Sequence, residues 1–385
     1  MFNFKLYNFK RYNFYLIAVV IILGLCSSYF VKQAGGTEFG ASNFKKQIIG
    51  LIIGLAVAIF VSLVDYHFIT QFSLVYYIIG TLLVAGTKFS PLGTDLSTGS
   101  YRWLKLPGLN FQPAELMKIL LILSLAVFLC KYEDYMDQFR IVIFAGIVMA
   151  IPTSFVLVQS DLSSSVVMMF IFAMMIFAAG LSYRIIAPIL AVGIPAFLVV
   201  FWYIQQPYQK LISDYQQMRI VGFLNPELYD NSIMYQQNYS IQAIASGRLI
   251  GKLFMNNASD SRGYRYVDVI ESDFIFTVIG EEVGFIGSCV IIGLLATVVI
   301  MCLRIANRAS DRLGMLIAIG VASMFMFQIF ANIGVASRIL PNTGLPLPFL
   351  SSGISSMLSS MLGIGLVLNV GIQTSRSKYG GFSML

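Results

Sequence analysis

The run Glu271-Ser272-Asp273-Phe274-Ile275-Phe276-Thr277-Val278-Ile279-Gly280-Glu281-Glu282-Val283-Gly284-Phe285-Ile286-Gly287 continues as apolar sequence to Cys302. Residues 274–302 are long and apolar enough for a membrane span, and long enough to tilt or to project beyond the bilayer. Asp273 stands at the threshold, where lipid meets water. A carboxylate at that depth is costly unless paired or hydrated, so it reads as functional by default. Two more acids hold matching places, in Gln112-Pro113-Ala114-Glu115 and in Gln159-Ser160-Asp161. Each opens an apolar run. Three acids at three helix mouths point to one shared site.

The rest of the chain agrees. Of its 385 residues, 58% are hydrophobic and 11% charged, where a soluble domain carries roughly a quarter charged. Recurrent apolar runs of about 18 residues make this an all-α integral membrane protein rather than a barrel of short alternating strands. About ten transmembrane helices are expected, over residues 14–31, 48–64, 68–85, 114–129, 141–158, 162–181, 185–203, 274–302, 313–333 and 354–372. Residues 1–385 read as one polytopic domain, with a large loop at 204–272 between spans seven and eight. Within that loop Asn225-Pro226-Glu227 and Asn256-Asn257-Ala258-Ser259-Asp260 read as turns. No internal repeat stands out, which counts against an inverted-repeat transporter. The first apolar run is too long for a typical signal peptide and has no A-x-A-like cleavage site, so it is expected to stay as span one.

Basic residues orient the bundle. Lys5, Lys10 and Arg11 precede span one; Arg304, Arg308 and Arg312 separate spans eight and nine; Arg376 and Lys378 follow span ten. Placing these inside puts both termini in the cytoplasm of a multi-pass plasma-membrane protein. Lys32, Lys45, Lys46, Lys88, Arg102 and Lys105 then fall outside, against the trend. In this orientation the 204–272 loop is extracytoplasmic, and spans four, six, eight and ten all begin at the outer face. Four sets of unsatisfied helix N–H groups then face one external region, which suits a phosphate-bearing ligand. The net charge of +7 fits membrane lipids with anionic headgroups as partners. No dense Lys/Arg block interleaves with aromatics, so nucleic acid is not an expected partner.

Cys26, Cys130, Cys289 and Cys302 form no C-x-x-C pair, and the single histidine, His67, sits beside Asp65 in a short connection. Neither a zinc framework nor a histidine-based triad is expected. Pro113 suits the first position of a helix. Glu115 and Lys118 then share a face about 4.5 Å apart along the axis, either as a neutralising ion pair or as part of a site. Arg102-Trp103 reads as an interfacial anchor or as a ligand contact. Asp161 is the residue type of an N-cap. Asp273 has Asp268 and Glu271 close by, and three repelling acids make a poor purely structural choice. Glu281 and Glu282 read as structural, with Gly280, Gly284 and Gly287 permitting close helix packing around them.

These segments together resemble the SEDS family (shape, elongation, division and sporulation), the group of RodA, FtsW and SpoVE. The matching stretches are Ser100-Tyr101-Arg102-Trp103 through Lys118, Gln159-Ser160-Asp161-Leu162-Ser163-Ser164, Tyr235-Gln236 through Gly247, the Asp273 segment, and Leu340-Pro341-Asn342-Thr343-Gly344-Leu345-Pro346-Leu347-Pro348-Phe349-Leu350-Ser351. The chain resembles a divergent member. Glu271 stands where the family usually has histidine, and Asp268-Val269 replaces its usual Pro-Glu. Ser352-Gly353-Ile354-Ser355-Ser356 replaces Tyr-Gly-Gly-Ser-Ser, and serines replace glycines in the span-six motif.

The resemblance implies a peptidoglycan glycosyltransferase that polymerises lipid II on the outer face of a bacterial plasma membrane. It implies Asp273 as general base, with Glu115 and Lys118 beside it as catalytic residues. Arg102, Trp103, Lys105, Gln112, Asp161, Pro348, Ser351 and Ser355 are the implied substrate contacts. A helix start and a nearby lysine are expected to keep Asp273 ionised. A divalent cation, Mg or Mn, is a candidate cofactor to share the diphosphate charge. The implied protein partner is a class B penicillin-binding protein, a transpeptidase. The alternatives are a flippase or transporter of lipid-linked precursors, and a non-catalytic membrane scaffold for wall synthesis.

Overall fold

In lipid the backbone has no solvent partner, so apolar runs close their own hydrogen bonds as helices. The computed structural model describes residues 7–91, 93–94, 101–106, 109–212, 214–225, 234–255 and 261–373. Among them are thirteen α-helices: α1 (Phe14–Ala34), α2 (Gly36–Leu63), α3 (Tyr66–Gln71), α4 (Ser73–Phe89), α5 (Pro113–Lys131), α6 (Phe139–Val158), α7 (Leu162–Ala178), α8 (Tyr183–Ile204), α9 (Asp214–Leu224), α10 (Tyr235–Ser246), α11 (Ile275–Asn307), α12 (Arg312–Ala336) and α13 (Ile354–Ile372). Eight are long and apolar enough to cross a membrane, while α4 and α7 are shorter apolar helices of 17 residues each. The expected third span is interrupted, since Phe72 separates α3 from α4. The expected turns at 226–227 and 256–260 lie outside the described residues. So do Lys5, Ser100, Arg376 and Lys378.

A small sheet adds to the all-helical expectation. Strands β1 (Gly93–Thr94), β2 (Trp103–Leu106) and β3 (Leu109–Phe111) pair antiparallel in that order, with Leu104 opposite both Gly93 and Phe111. The sheet leads directly into Pro113 at the start of α5. Strands this short carry too few residues to show an alternating pattern.

Helices α5 and α13 form the centre of the bundle, with 67% and 72% of their membrane windows buried, whereas α8 buries 6%. Val192, Phe197, Leu198 and Val199 of α8 are all exposed. In a bilayer they face lipid, and α8 stands at the bundle's margin.

The long run that opened the sequence reading is two helices. At Gly284 the backbone turns to φ 66° and ψ −165°, dividing α11 into 275–283 and 285–307. The N–H groups freed by the break donate to Arg248 O (from Phe285, 2.9 Å) and Leu249 O (from Ile286, 3.0 Å). The segment after α10 lies so close that a Cβ at Gly284 would come within 2.3 Å of Gly251 N, and one at Gly247 within 2.1 Å of Gly280 O. Gly280 and Gly284 thus permit the expected close approach. Gly287 instead packs across the break, where its Cβ would meet Val283 at 2.4 Å.

Glu281 and Glu282, 0% and 1% exposed, fasten the loop over this break. Glu281 accepts from Lys252 Nζ at 2.5 Å and from the N–H groups of Gly263 and Tyr264 at 2.8 and 2.9 Å. Glu282 accepts from Arg262 Nε at 2.7 Å and Tyr264 OH at 3.0 Å. Buried carboxylates need such partners, and these two have a structural use.

Gly284→Ala adds a Cβ at a left-handed position already in contact with backbone. It is expected to destabilise the protein by at least about 2 kcal/mol, read as a lower thermal unfolding midpoint in detergent. Gly293→Ala, whose Cβ meets nothing within 4 Å, is the control and should leave the midpoint close to wild type.

Candidate functional site

Asp273 lies outside the α11 helix, in the turn that precedes it. Val269 opens that turn at φ 54°, a strained conformation for a β-branched residue. Its carbonyl accepts from the N–H groups of Ser272 and Asp273, both at 3.2 Å. The loop before α13 clamps the turn from the other side. Ser352 N donates to Glu271 O at 2.8 Å, and Ser351 Oγ accepts from Leu347 N at 2.7 Å while donating to Ser272 O. Asn332 Nδ2 bridges Asp273 O (2.8 Å) and Leu345 O (2.7 Å). Ser27 of α1 and Gln47 of α2 hold the same loop through Leu350 O and Ser351 O. The N–H groups of Ser272 and Asp273 and the carbonyls of Glu271, Ser272 and Asp273 are all hydrogen-bonded.

The Asp273 side chain opens into a cavity of about 260 Å³ whose wall includes Arg102, Trp103, Gln112, Arg219, Gly344 and Ser355. Three helices begin at this wall: α5 after Gln112, α11 after Phe274 and α13 after Gly353. None has a side-chain hydrogen bond from its cap residue. Their positive dipole ends therefore act on the cavity without a side-chain cap, and the one acid in a first turn, Glu115 of α5, is paired with Lys118. Gln112 N donates to Ser355 Oγ at 3.2 Å, joining the mouths of α5 and α13.

Burial pushes the Asp273 carboxyl above the usual carboxylate range. The Ser272 hydroxyl, 2.9 Å from Oδ1, and then the Arg219 and Arg102 guanidinium groups draw it partly back, while Asp161 adds a smaller upward push. The counter-charge near Asp273 comes from these arginines and not from the expected lysine. Lys118 spends its charge on Glu115 instead, at 2.7 Å, with side chains 0% and 3% exposed.

A second, largely apolar cavity of about 380 Å³ adjoins the first and shares Arg102, Arg219 and Asn342 with it. Its wall is completed by Leu162 and Val166 of α7, Phe197 of α8 and Phe327 of α12. Arg219 belongs to α9 in the loop and donates to Asn342 O at 3.3 Å. Arg102 Nη2 donates to Ser160 O at 2.5 Å.

The structure brings Arg102, Trp103, Gln112, Ser355 and Asp273 into one wall. The other expected residues stand off it, each for a physical reason. Asp161 caps α7, accepting from Ser164 N at 3.0 Å and Ser164 Oγ at 2.9 Å. It reaches the wall only through Gln112 Nε2 at 3.4 Å. Glu115 is neutralised by Lys118 in the core. Ser351 supports the Asp273 turn, and Pro348 is buried in the same loop. Lys105 is exposed on β2, opposite Asn110. Arg219 was missed by the sequence reading. Its surroundings, Gln216-Gln217-Met218-Arg219, have the composition of any solvated helix, and only the tertiary fold brings it to the acid.

A Mg or Mn ion finds a poor fit at this wall. Asp273 is its one lining carboxylate, and two arginines stand opposite. No cluster of three or more acidic, histidine or cysteine ligands occurs among the described residues. The lining suits an anion better than a hard cation.

Gly344 takes φ 72°, and a Cβ there would lie 3.0 Å from Asp273 Oδ2. Gly344→Ala is expected to cut any activity that depends on Asp273 at least tenfold, at near-normal membrane abundance. Unchanged specific activity would show that the carboxylate has room to move aside.

A family model for the cell cycle proteins FtsW, RodA and SpoVE matches residues 9–376. The chain is 32% identical over 354 residues to the probable peptidoglycan glycosyltransferase FtsW of Trichlorobacter lovleyi, covering 91% of this chain and 88% of that one. It is 29% identical to the peptidoglycan glycosyltransferase MrdB of Escherichia coli, over 92% of each. A solved chain from a peptidoglycan synthase complex that coordinates polymerization and crosslinking is 25% identical. It superposes with a TM-score of 0.76 over 96% of this chain and 99% of that one. The fold also matches the rod shape determining protein RodA of Thermus thermophilus, at a TM-score of 0.67 and 24% identity, over 97% and 98% of the two chains.

Proposed function

We propose, from the premise that the chain belongs to the FtsW, RodA and SpoVE family of cell cycle proteins, that Asp273 is the general base of a peptidoglycan glycosyltransferase. Relatives named as peptidoglycan glycosyltransferases match more than nine-tenths of the chain, and the chain is a glycosyltransferase of peptidoglycan synthesis. The substrate is lipid II, polymerised into glycan strands. One observation carries the site assignment: a partly exposed carboxylate faces two arginines and three uncapped helix mouths in a polar cavity that continues into an apolar one.

The chemistry follows from that lining. The GlcNAc 4-hydroxyl of the acceptor gives its proton to Asp273 as its oxygen bonds to the donor's MurNAc C1. The bond from C1 to the phosphate oxygen breaks with inversion, and undecaprenyl diphosphate leaves with the electron pair. Diphosphate needs no acid to protonate it; it needs its charge met, which Arg102, Arg219 and the helix mouths can do. A carboxyl held above its usual range is a stronger base than an exposed one. The apolar cavity beside α8 has the chemistry to take the first part of the isoprenoid chain. Glu115 and Lys118 act at one remove, fixing the mouth of α5 where Gln112 meets Ser355.

Family position supports the finer points. The cavity faces outward and both termini lie in the cytoplasm, as the basic residues beside spans one and nine favour. The described part of the 204–272 loop covers the outer end of a single membrane domain. The superposition on a synthase-complex chain supports a class B penicillin-binding protein as partner. A flippase needs a polar route between faces, whereas the Asp273 cavity adjoins a largely apolar one, and Glu115 and Lys118 in the core are spent on each other.

Asp273→Asn is expected to lower turnover of purified protein on lipid II by about 10²–10⁴-fold, with glycan product run on a gel. Its unfolding midpoint at neutral pH should not fall. A carboxyl whose folded pKa is raised costs stability once ionised, and the amide removes that cost. Near-normal polymerisation by this variant would refute the base assignment, and an inactive wild type with its partner present would favour a scaffold. Wild-type activity should decline on acidification with an apparent pKa above the ordinary aspartate value of about 3.9. Lys118→Ala is expected to lower activity more than abundance; equal losses would reduce the pair to a helix fastening.

A further inference from the structure

At the far end of α11 a recess of about 930 Å³ is lined by Lys10 and Arg11 from the N-terminal segment and by Arg304 and Arg308 from the helix. All four are exposed, and no acid is among the lining residues. None of the four forms an ion pair among the described residues. Nearby acids are already engaged: His67 lies 2.8 Å from Asp65 and 2.6 Å from Asp311, and Arg312 lies 3.3 Å from Glu133. Residues 1–6 and 374–385 contain Lys5, Arg376 and Lys378 but no acid.

A helix C-terminus attracts one or two cations by its dipole. That accounts for Arg304 and Arg308. It does not account for Lys10 and Arg11, which are brought from elsewhere and held there. Asn8 accepts from Lys10 N at 3.1 Å and caps a 3₁₀ turn over Phe9–Arg11. Asn8 N donates to Ile372 O at 2.8 Å, Tyr7 OH to Leu63 O at 3.0 Å, and Tyr12 OH meets Ser62 Oγ at 3.0 Å. The segment is fastened to α2 and α13 with its two cations beside those of α11. Four like charges brought together and left unpaired cost energy unless an anion joins them.

We propose that this recess is a binding site for the phosphodiester headgroup of an anionic glycerophospholipid in the leaflet opposite the Asp273 cavity. Arg304 lies twenty residues beyond Gly284, about 30 Å along the axis, which is about one hydrocarbon thickness. Phe14, Tyr15, Ile300 and Leu303 beside the recess are exposed, giving acyl chains an apolar wall next to the charges. A free phosphate would use the cations and leave that wall unmatched. Tyr12 and Tyr15 suit the interfacial level.

The test is native mass spectrometry of the full chain in detergent, titrated with phosphatidylglycerol or with phosphatidylcholine of the same acyl chains. Phosphatidylglycerol should bind at much lower concentration. The double variant Arg304→Gln with Arg308→Gln should weaken it about thirtyfold and leave phosphatidylcholine unchanged. Lys10→Gln with Arg11→Gln, which leaves the helix intact, should do the same and serves alone if the first variant misfolds. Equal binding of the two lipids, or phosphatidylglycerol binding unaffected by the N-terminal variant, would overturn the proposal. Displacement of the lipid by inorganic phosphate at equal concentration would also overturn it, assigning the recess to a free anion.

Discussion

The contact between Gly284 and the 247–251 segment is the constraint from which the Asp273 end of the molecule follows. A straight helix over 275–307 would be about 50 Å long and would carry Glu281 and Glu282 toward lipid or water. The break instead leaves a span of ordinary length below and a short helix above that is wrapped by its own protein. Breaking a helix exposes N–H groups, and here the carbonyls of Arg248 and Leu249 accept them. The same glycine contacts that permit the break bring the loop down as a cover. The two glutamates then lock it, through Lys252, Arg262 and Tyr264. Asp273 sits in the turn before this short helix, outside the helical run.

Most of the membrane architecture was legible because apolar runs in lipid have one structural solution. What stayed hidden was everything decided by close approach rather than composition. Gly284 reads like any other small residue on a helix face until its φ is known. The β1–β3 sheet has strands too short for a periodic signal. Arg219 sits in a polar loop, and nothing local marks it as facing a carboxylate. The three acids at three helix mouths were visible as a set, and they do gather at one end. Sequence could not say that two of them are already spent, Asp161 on Ser164 and Glu115 on Lys118. Spacing alone supported both readings of the Glu115–Lys118 pair, and only burial places it behind the wall.

The divergent positions take on physical sense around the same turn. Glu271 directs its carboxylate to Asn43 of α2, at 2.5 Å, and its carbonyl receives the N–H of Ser352. Burial raises its pKa, with Asn43 and then Lys46 opposing. It is not among the residues lining the Asp273 cavity. Replacing the family's usual histidine by glutamate therefore changes how the turn is anchored to α2, rather than adding a second acid to the chemistry. In the span-six segment Ser164 and Ser165 bond to Asp161, which fixes the start of α7.

Three of the five non-glycine residues with positive φ among the described residues, the others being Arg248 and Arg338, lie where the cavity is built. Ser160, Val269 and Phe349 all take φ near +60° without being glycine, each at a cost of about 1–3 kcal/mol. Ser160 presents its carbonyl to Arg102, Val269 sets the turn carrying Asp273, and Phe349 lies in the loop that clamps that turn. Such conformations persist because the surrounding bonds leave no alternative. The reward is a carboxylate in a poorly solvated position with its counter-charges held at some distance rather than in contact. Closer pairing would be more stable and would make a weaker base. Stability is given up at these backbone positions, and the proposed proton acceptor remains available.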